Sequence, residues 1–212
     1  MTEIAETIAQ DLLTIKAVTL KPQDPFTWAS GIHSPIYTDN RLTISYPKVR
    51  NHIAQGIADL IRTNYPQAEV IAGVATAGIP HAAWVAQLLD LPLIYVRSKP
   101  KDHGAGRQIE GVLTPGQKVV MLDDLISTGG SVLQAAKAVQ AEGGDIVAVG
   151  SVFSYELDAA TTNFAAADLP LFSLSNYSTL IKVAREADYI DDAGLASLHA
   201  WRQNPTTWTP QV

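Results

Sequence analysis

Val119-Val120-Met121-Leu122-Asp123-Asp124-Leu125-Ile126-Ser127-Thr128-Gly129-Gly130-Ser131 runs from apolar residues into two acids, then into a turn of small hydroxyls and glycines. The apolar part is short and bounded, the mark of a buried parallel strand, here expected over Lys118–Leu122. Asp123 and Asp124 then fall where the strand leaves the sheet. In open α/β sheets that edge is where ligands bind. The Ser127–Ser131 turn offers hydroxyls and backbone N–H groups at the start of the next helix, which suits an anion and above all a phosphate. Carboxylates beside it accept hydrogen bonds from hydroxyls. A sugar phosphate fits that pairing. Two acids alone would also suit a strand followed by capping residues. The whole pattern favours a ligand.

On both sides of this segment strands and helices alternate. Strands are expected at Val70–Val74, Leu93–Val96, Ile146–Phe153 and Leu171–Leu174. Helices are expected near Ile79–Leu89, Ser131–Glu142 and Glu156–Ala167, with Gly143-Gly144 closing the second. Such repeated units predict an α/β fold, a doubly wound and mainly parallel sheet. Upstream, Ile4, Ile8, Leu12 and Ile15 predict a first helix from residue 2 to about 20, ended by Pro22 and Pro25. Residues 26 to about 41 read as short strands and a turn. Pro47 suits the first turn of a helix that lines up Val49, Ile53, Ile57 and Leu60. The stretch from Ser178 is helical at first and then rich in Pro and Thr.

The chain has 212 residues, of which 47% are hydrophobic, and the expectation is a single domain over 1–212. No apolar run approaches the roughly 20 residues that span a bilayer. The acidic start, Met1-Thr2-Glu3, is unlike a signal peptide. With no cysteine, thiol nucleophiles, disulfides and zinc–thiolate sites are excluded. These features together predict a cytoplasmic protein. A net charge of −6 argues against a nucleic-acid surface. The cations are concentrated instead: Arg97, Lys99, Lys101 and Arg107 crowd one Gly-punctuated stretch with His103 among them. That is the composition of a loop that recruits a small polyanion, or of a mobile lid. The bland alternative is a solvated surface loop.

The 119–131 segment resembles the phosphoribosyl-diphosphate (PRPP) motif of type I phosphoribosyltransferases. The resemblance implies that Asp123 and Asp124 contact the ribose, and that Leu125, Ile126, Ser127, Thr128, Gly129, Gly130 and Ser131 complete the PRPP site. A second strand-to-helix turn, Ala72-Gly73-Val74-Ala75-Thr76-Ala77-Gly78, resembles that family's diphosphate loop at Thr76, Ala77 and Gly78. Ala77 stands where some relatives carry lysine, which leaves backbone N–H groups to hold the diphosphate.

Arg-x-x-x-Lys-x-His-Gly over residues 97–104 resembles the catalytic loop of orotate phosphoribosyltransferases. Arg97, Lys101 and His103 match it position by position, while Ser98 replaces a second lysine. The resemblance implies that these three are catalytic and contact PRPP, and that the loop reaches the partner subunit's site in a homodimer. Phe26-Thr27-Trp28-Ala29-Ser30-Gly31-Ile32-His33-Ser34-Pro35 resembles the same family's N-terminal signature. It implies a small hood, residues about 1–45 with part of the C-terminal tail, over the base. Ser127 and Tyr37 are the expected orotate contacts. Ala29 replaces a lysine, and Tyr155 and Glu156 lie where some relatives place an arginine.

The implied reaction converts orotate and PRPP to orotidine 5′-monophosphate and diphosphate, in de novo pyrimidine synthesis. Mg²⁺ is expected to arrive on PRPP oxygens without direct protein ligands. A transferase for a purine or uracil would lack the 26–35 signature and the 97–104 loop. A PRPP-sensing regulator would not need the basic loop. The chain is too short to add a barrel-sized decarboxylase.

Overall fold

A computed structural model describes residues 2–28, 31–99 and 108–210. The chain divides into two compact units, one of residues up to Val49 together with Ser175 onward, the other Arg50–Leu174.

In the first unit, α1 (Thr2–Thr14) buries Ile8 and Leu12. It stops well short of residue 20. Lys16 adopts φ 58°, and Val18–Leu20 leaves the helix as strand β1. The β-branched Val18-Thr19 pair favours an extended backbone, and this outweighs the helical spacing that Ile15 continues. Strands β2 (Phe26–Thr27) and β3 (His33–Ser34) pair with each other, and β4 (Ile36–Thr38) pairs antiparallel with β1. A 3₁₀ turn over Asn40–Ser45 leads to α2 (Pro47–Asn64), which begins at its proline as expected and from Arg50 onward belongs to the second unit. On α2, Val49, Ile53 and Ile57 are buried, but Ile61 takes the last core position in place of the half-buried Leu60.

The second unit carries the sheet. Its elements are β5 (Val70–Val74), α3 (Gly78–Leu89), β6 (Leu93–Val96), β7 (Ile109–Glu110), β8 (Lys118–Ile126), α4 (Gly130–Ala141), β9 (Asp145–Ser154), α5 (Asp158–Ala166) and β10 (Leu171–Asn176). The strand order is β10-β9-β8-β5-β6-β7. Strands β9, β8, β5 and β6 run parallel, and β7 is antiparallel to β6. Apolar residues fill β5 on both faces, as a covered parallel strand requires. Helix α4 packs Val132, Ala136 and Val139 into a core with Val119, Met121 and Phe164.

Two strands differ from the sequence expectation. β8 continues through Asp123 and Asp124 to Ile126, because Leu125 and Ile126 pair with Phe153 and Ser154 of an equally long β9. The acids are thus part of the strand, directly after its apolar run. β7 has only two residues, too few for a periodic signal, and forms because it hydrogen-bonds to β6 across a hairpin. The C-terminal chain adds α6 (Tyr177–Glu186) and α7 (Asp192–Gln203) to the first unit. There the Trp201 indole donates to the His33 carbonyl (3.0 Å) and lies against Trp28 and Tyr177.

Candidate functional site

The chain runs from β5 through α3 to β6 on one side, then returns to place β8 on the other side of β5. Strand order reverses between β5 and β8, and a doubly wound sheet opens its binding crevice at such a point. Both connections at that edge are the turns singled out in the sequence. The first of them lies directly against β8. A Cβ on Gly78 would lie 2.4 Å from the Leu122 carbonyl oxygen and 3.0 Å from Asp123 Cα, so only glycine lets α3 begin against β8 at the first acid. Gly73 serves the same packing one turn away, where a Cβ would meet Ile79 Cα at 2.9 Å. Within the first turn, the Ala75–Thr76 peptide bond is cis. Thr76 is exposed, Ala77 half-buried and Gly78 buried.

Neither helix that starts here has a side-chain cap. Ala77 precedes α3 and Gly129 precedes α4, and neither has a side-chain oxygen to accept from the first-turn N–H groups. By contrast, Asn176 caps α6 and Asp191 caps α7 through their side chains. Helix α5 also lacks a side-chain cap, but it carries Asp158 in its own first turn. Backbone N–H groups at a helix start are unsatisfied within the helix, and an anion satisfies them. The crevice therefore sets two anion-receptive helix starts side by side.

Asp123 lies at the floor, with 6% of its surface exposed, and Asp124 is half-buried. The Asp124 N–H donates to Asp123 Oδ1 at 2.9 Å. Ser131 Oγ stands 3.5 Å from Asp123 Oδ2, the outer limit of a hydrogen bond. Burial, and next the charge of Asp124, push the Asp123 carboxyl from 3.8 up to about 7. A ligand that brings hydroxyl donors to this pair relieves the strain of holding charge there. Among the described residues, no three of His, Asp and Glu converge as a metal cage. Asp123 and Asp124 are hard oxygen donors, compatible with a Mg²⁺ ion that arrives already held by ligand oxygens and water.

The Ser127–Ser131 turn is supported from behind by α5. Gly129 is buried at φ 79°, and a Cβ there would lie 2.5 Å from Phe164 Cε2. The Asn163 amide donates to the Thr128 carbonyl at 2.9 Å. Thr128, Gly130 and Ser131 are exposed on the open side, Ser127 and Leu125 are half-buried, and Ile126 is in the core. Asn163 and Phe164 escape a reading of the sequence. The only hint is Gly129, whose backbone needs are visible in its type but whose neighbour is not.

Arg97 sits just past β6, at the root of the basic loop. Its N–H donates to the Gln108 carbonyl (2.9 Å), and the Gln108 amide donates back to the Arg97 carbonyl (2.7 Å). Its guanidinium is 3.8 Å from Glu110, a partly exposed and weak pair. Lys101 and His103, with Arg107, lie outside the described residues. Tyr37 belongs to the other compact unit, where it is 45% exposed and tilted against Phe26 at 5.5 Å. Tyr155, at the position where an arginine was sought, is buried edge-on to Phe153. The structure thus brings together Thr76–Gly78 and Asp123–Ser131, and sets Arg97 on the neighbouring strand's end.

Residues 45–166 match the phosphoribosyl transferase domain family. Over 208 residues the chain is 83% identical to the orotate phosphoribosyltransferase of Lactiplantibacillus plantarum, covering 98% of each chain. It is 57% identical to that of Enterococcus faecalis, over 98% of this chain and 99% of the relative. Among solved structures, the Leishmania donovani UMP synthase superposes with a TM-score of 0.80 at 26% identity. The match covers 94% of this chain and 42% of that one.

Proposed function

The chain belongs to the phosphoribosyl transferase domain family, and within it to the orotate phosphoribosyltransferases, and on that premise we infer how its residues divide the work. The reaction moves the ribose 5-phosphate of PRPP onto orotate, giving orotidine 5′-monophosphate and diphosphate on the way to UMP. The observation that carries the residue assignment is two uncapped helix starts following the neighbouring strands β5 and β8, beside the buried Asp123 and half-buried Asp124.

In this reading the Ser127–Ser131 turn holds the 5-phosphate through its N–H groups and hydroxyls. Asp123 and Asp124 accept from the ribose hydroxyls and fix the anomeric carbon. Thr76, Ala77 and Gly78 hold the diphosphate on the neighbouring helix start, through backbone donors in place of a lysine. Ser127 and Tyr37 contact orotate. Substitution at the anomeric carbon passes through an oxocarbenium-like state as the diphosphate departs. Catalysis then rests on positioning and on cations set where negative charge grows. Arg97, Lys101 and His103 supply those cations, and Lys101 or His103 can give a proton to the departing oxygen. Asp123 and Asp124 would face a Mg²⁺ ion carried on the PRPP oxygens, which when bound would supply charge neutralisation of the diphosphate. The active form is a cytoplasmic homodimer whose basic loop serves the partner's site, with no part for nucleic acid or membrane. Among the described residues no helix is long and apolar enough to cross a bilayer.

The experiment is to follow orotate absorbance with purified protein, PRPP and Mg²⁺, with uracil and hypoxanthine in parallel. PRPP-dependent loss of orotate alone is the expected result. Turnover of another base instead would overturn the assignment of the base contacts. No turnover of any base, from folded protein that binds PRPP, would overturn the catalytic reading.

A further inference from the structure

We propose that Asn163 is a positioning residue for PRPP, which holds the Thr128–Gly129 peptide so that its N–H faces the phosphate. The proposal rests on the reading of Ser127–Ser131 as the phosphate turn. Asn163 lies on the surface of α5, 35 residues downstream, and its Nδ2 donates to the Thr128 carbonyl at 2.9 Å. A trans peptide is planar, with C=O and N–H pointing in opposite directions. Drawing the Thr128 carbonyl toward α5 therefore turns the Gly129 N–H away from α5. The next residue of the same helix works on the same peptide. Phe164 is buried against Gly129, and its ring occupies the space a side chain at 129 would need. One ring sets the distance of the turn from α5, and one amide sets its rotation.

The rotation matters because a flipped peptide would present a carbonyl oxygen where the anion needs a donor. Gly129 is the residue most able to flip, since it lacks a Cβ and already sits at positive φ. A hydrogen bond to the preceding carbonyl opposes that freedom. Asparagine is also a weak helix former at an exposed position, so local helix stability gives no reason for it there. The role is indirect: Asn163 touches the turn and leaves the phosphate to the backbone.

The test is calorimetric titration of ribose 5-phosphate and of diphosphate into wild type, Asn163→Ala and Asn163→Asp, with a turn variant, Thr128→Ala combined with Ser131→Ala, as reference. Steady-state kinetics and urea unfolding accompany it. Asn163→Ala is expected to weaken ribose 5-phosphate about three- to tenfold, in line with loss of one hydrogen bond. Diphosphate affinity and the unfolding midpoint should not move, and KM for PRPP should rise more than kcat falls. Asn163→Asp should be worse, because a carboxylate cannot donate and would face the carbonyl dipole. If both Asn163 variants bind ribose 5-phosphate like wild type while the turn variant binds weakly, the turn is the phosphate site and Asn163 does not position it. If the turn variant also binds normally, the phosphate reading falls and takes the proposal with it. Equal weakening of both ligands, with lost stability, would make Asn163 a general support and overturn the proposal.

Discussion

Gly78→Ala is the sharpest test of the two-turn crevice. The added methyl carbon would meet the Leu122 carbonyl oxygen at 2.4 Å, where ordinary contact begins at 3.4 Å, so one backbone must retreat by about 1 Å. Strand β8 is hydrogen-bonded to β5 on one side and β9 on the other, and has little freedom to move. The start of α3 must therefore shift, and the Thr76–Gly78 turn shifts with it. Overpacking of this kind costs about 1–3 kcal/mol of stability. The effect on catalysis should be larger, since a 1 Å misplacement of a positioning group can cost about 100-fold in rate. The assay is kcat/KM for PRPP from orotate absorbance, paired with urea unfolding. The expected outcome is a fall of about 100-fold in kcat/KM in a protein that still folds cooperatively, with diphosphate binding hit harder than ribose 5-phosphate binding. Activity within threefold of wild type, with an unmoved unfolding midpoint, would refute the claim that the start of α3 is pressed against β8 at Gly78.

Other substitutions probe the rest of the site. Lys101→Ala should lower turnover by at least about tenfold with little change in stability, as loss of a transition-state cation does; mixed with Asp124→Asn chains, it should regain part of its activity if subunits share sites, and mixed dimers without any rescue would mean self-contained sites. Asp123→Asn should alter the pH dependence of stability. The folded-state value near 7 lies above the ordinary 3.8, so the folded state holds a proton that the unfolded chain has lost, and stability falls as pH rises between about 4 and 7. Asparagine removes that slope, so the variant should melt about 4 °C or more above wild type at pH 8, and at lower pH the gap should close; parallel melting curves at all pH values would sink this account, while PRPP binding should weaken in either case. Gly129→Ala combines a positive φ with a collision against Phe164, and should cost about 2 kcal/mol or more in urea unfolding.

Much of this architecture can be read directly from the residues. Strands β5 and β6 stand at their expected bounds because four or five apolar residues between turn formers leave little choice. The two turns of the crevice are legible because glycine beside small hydroxyls has few other uses at a helix start. What is not legible depends on partners distant in sequence. The extension of β8 through two acids requires the long β9 beside it. The end of α1 is set by Lys16 and by the pairing of Val18–Leu20 with Ile36–Thr38. Strand β7 has no pattern of its own, and the support of the phosphate turn by Asn163 and Phe164 joins residues that no local periodicity links. The depth of Asp123, which is the first cause of its raised pKa, likewise comes from the sheet around it rather than from the Asp-Asp pair.

The β6–β7 hairpin has a consequence for engineering and for divergence within the family. Tyr95 and Val96 face Glu110 and Ile109, and Arg97 and Gln108 are tied to each other by two hydrogen bonds. The chain thus leaves and rejoins the margin of the sheet at one point, through a joint made by Tyr95–Arg97 and Gln108–Glu110. A joint of this kind frames a cassette. Exchange of the stretch between 97 and 108 for that of a relative should leave the β6–β7 pairing in place, and an unchanged melting temperature would show it. On such a frame, change in the basic segment and change in the sheet that carries it are separable, because the joint between them is made of the sheet's own residues.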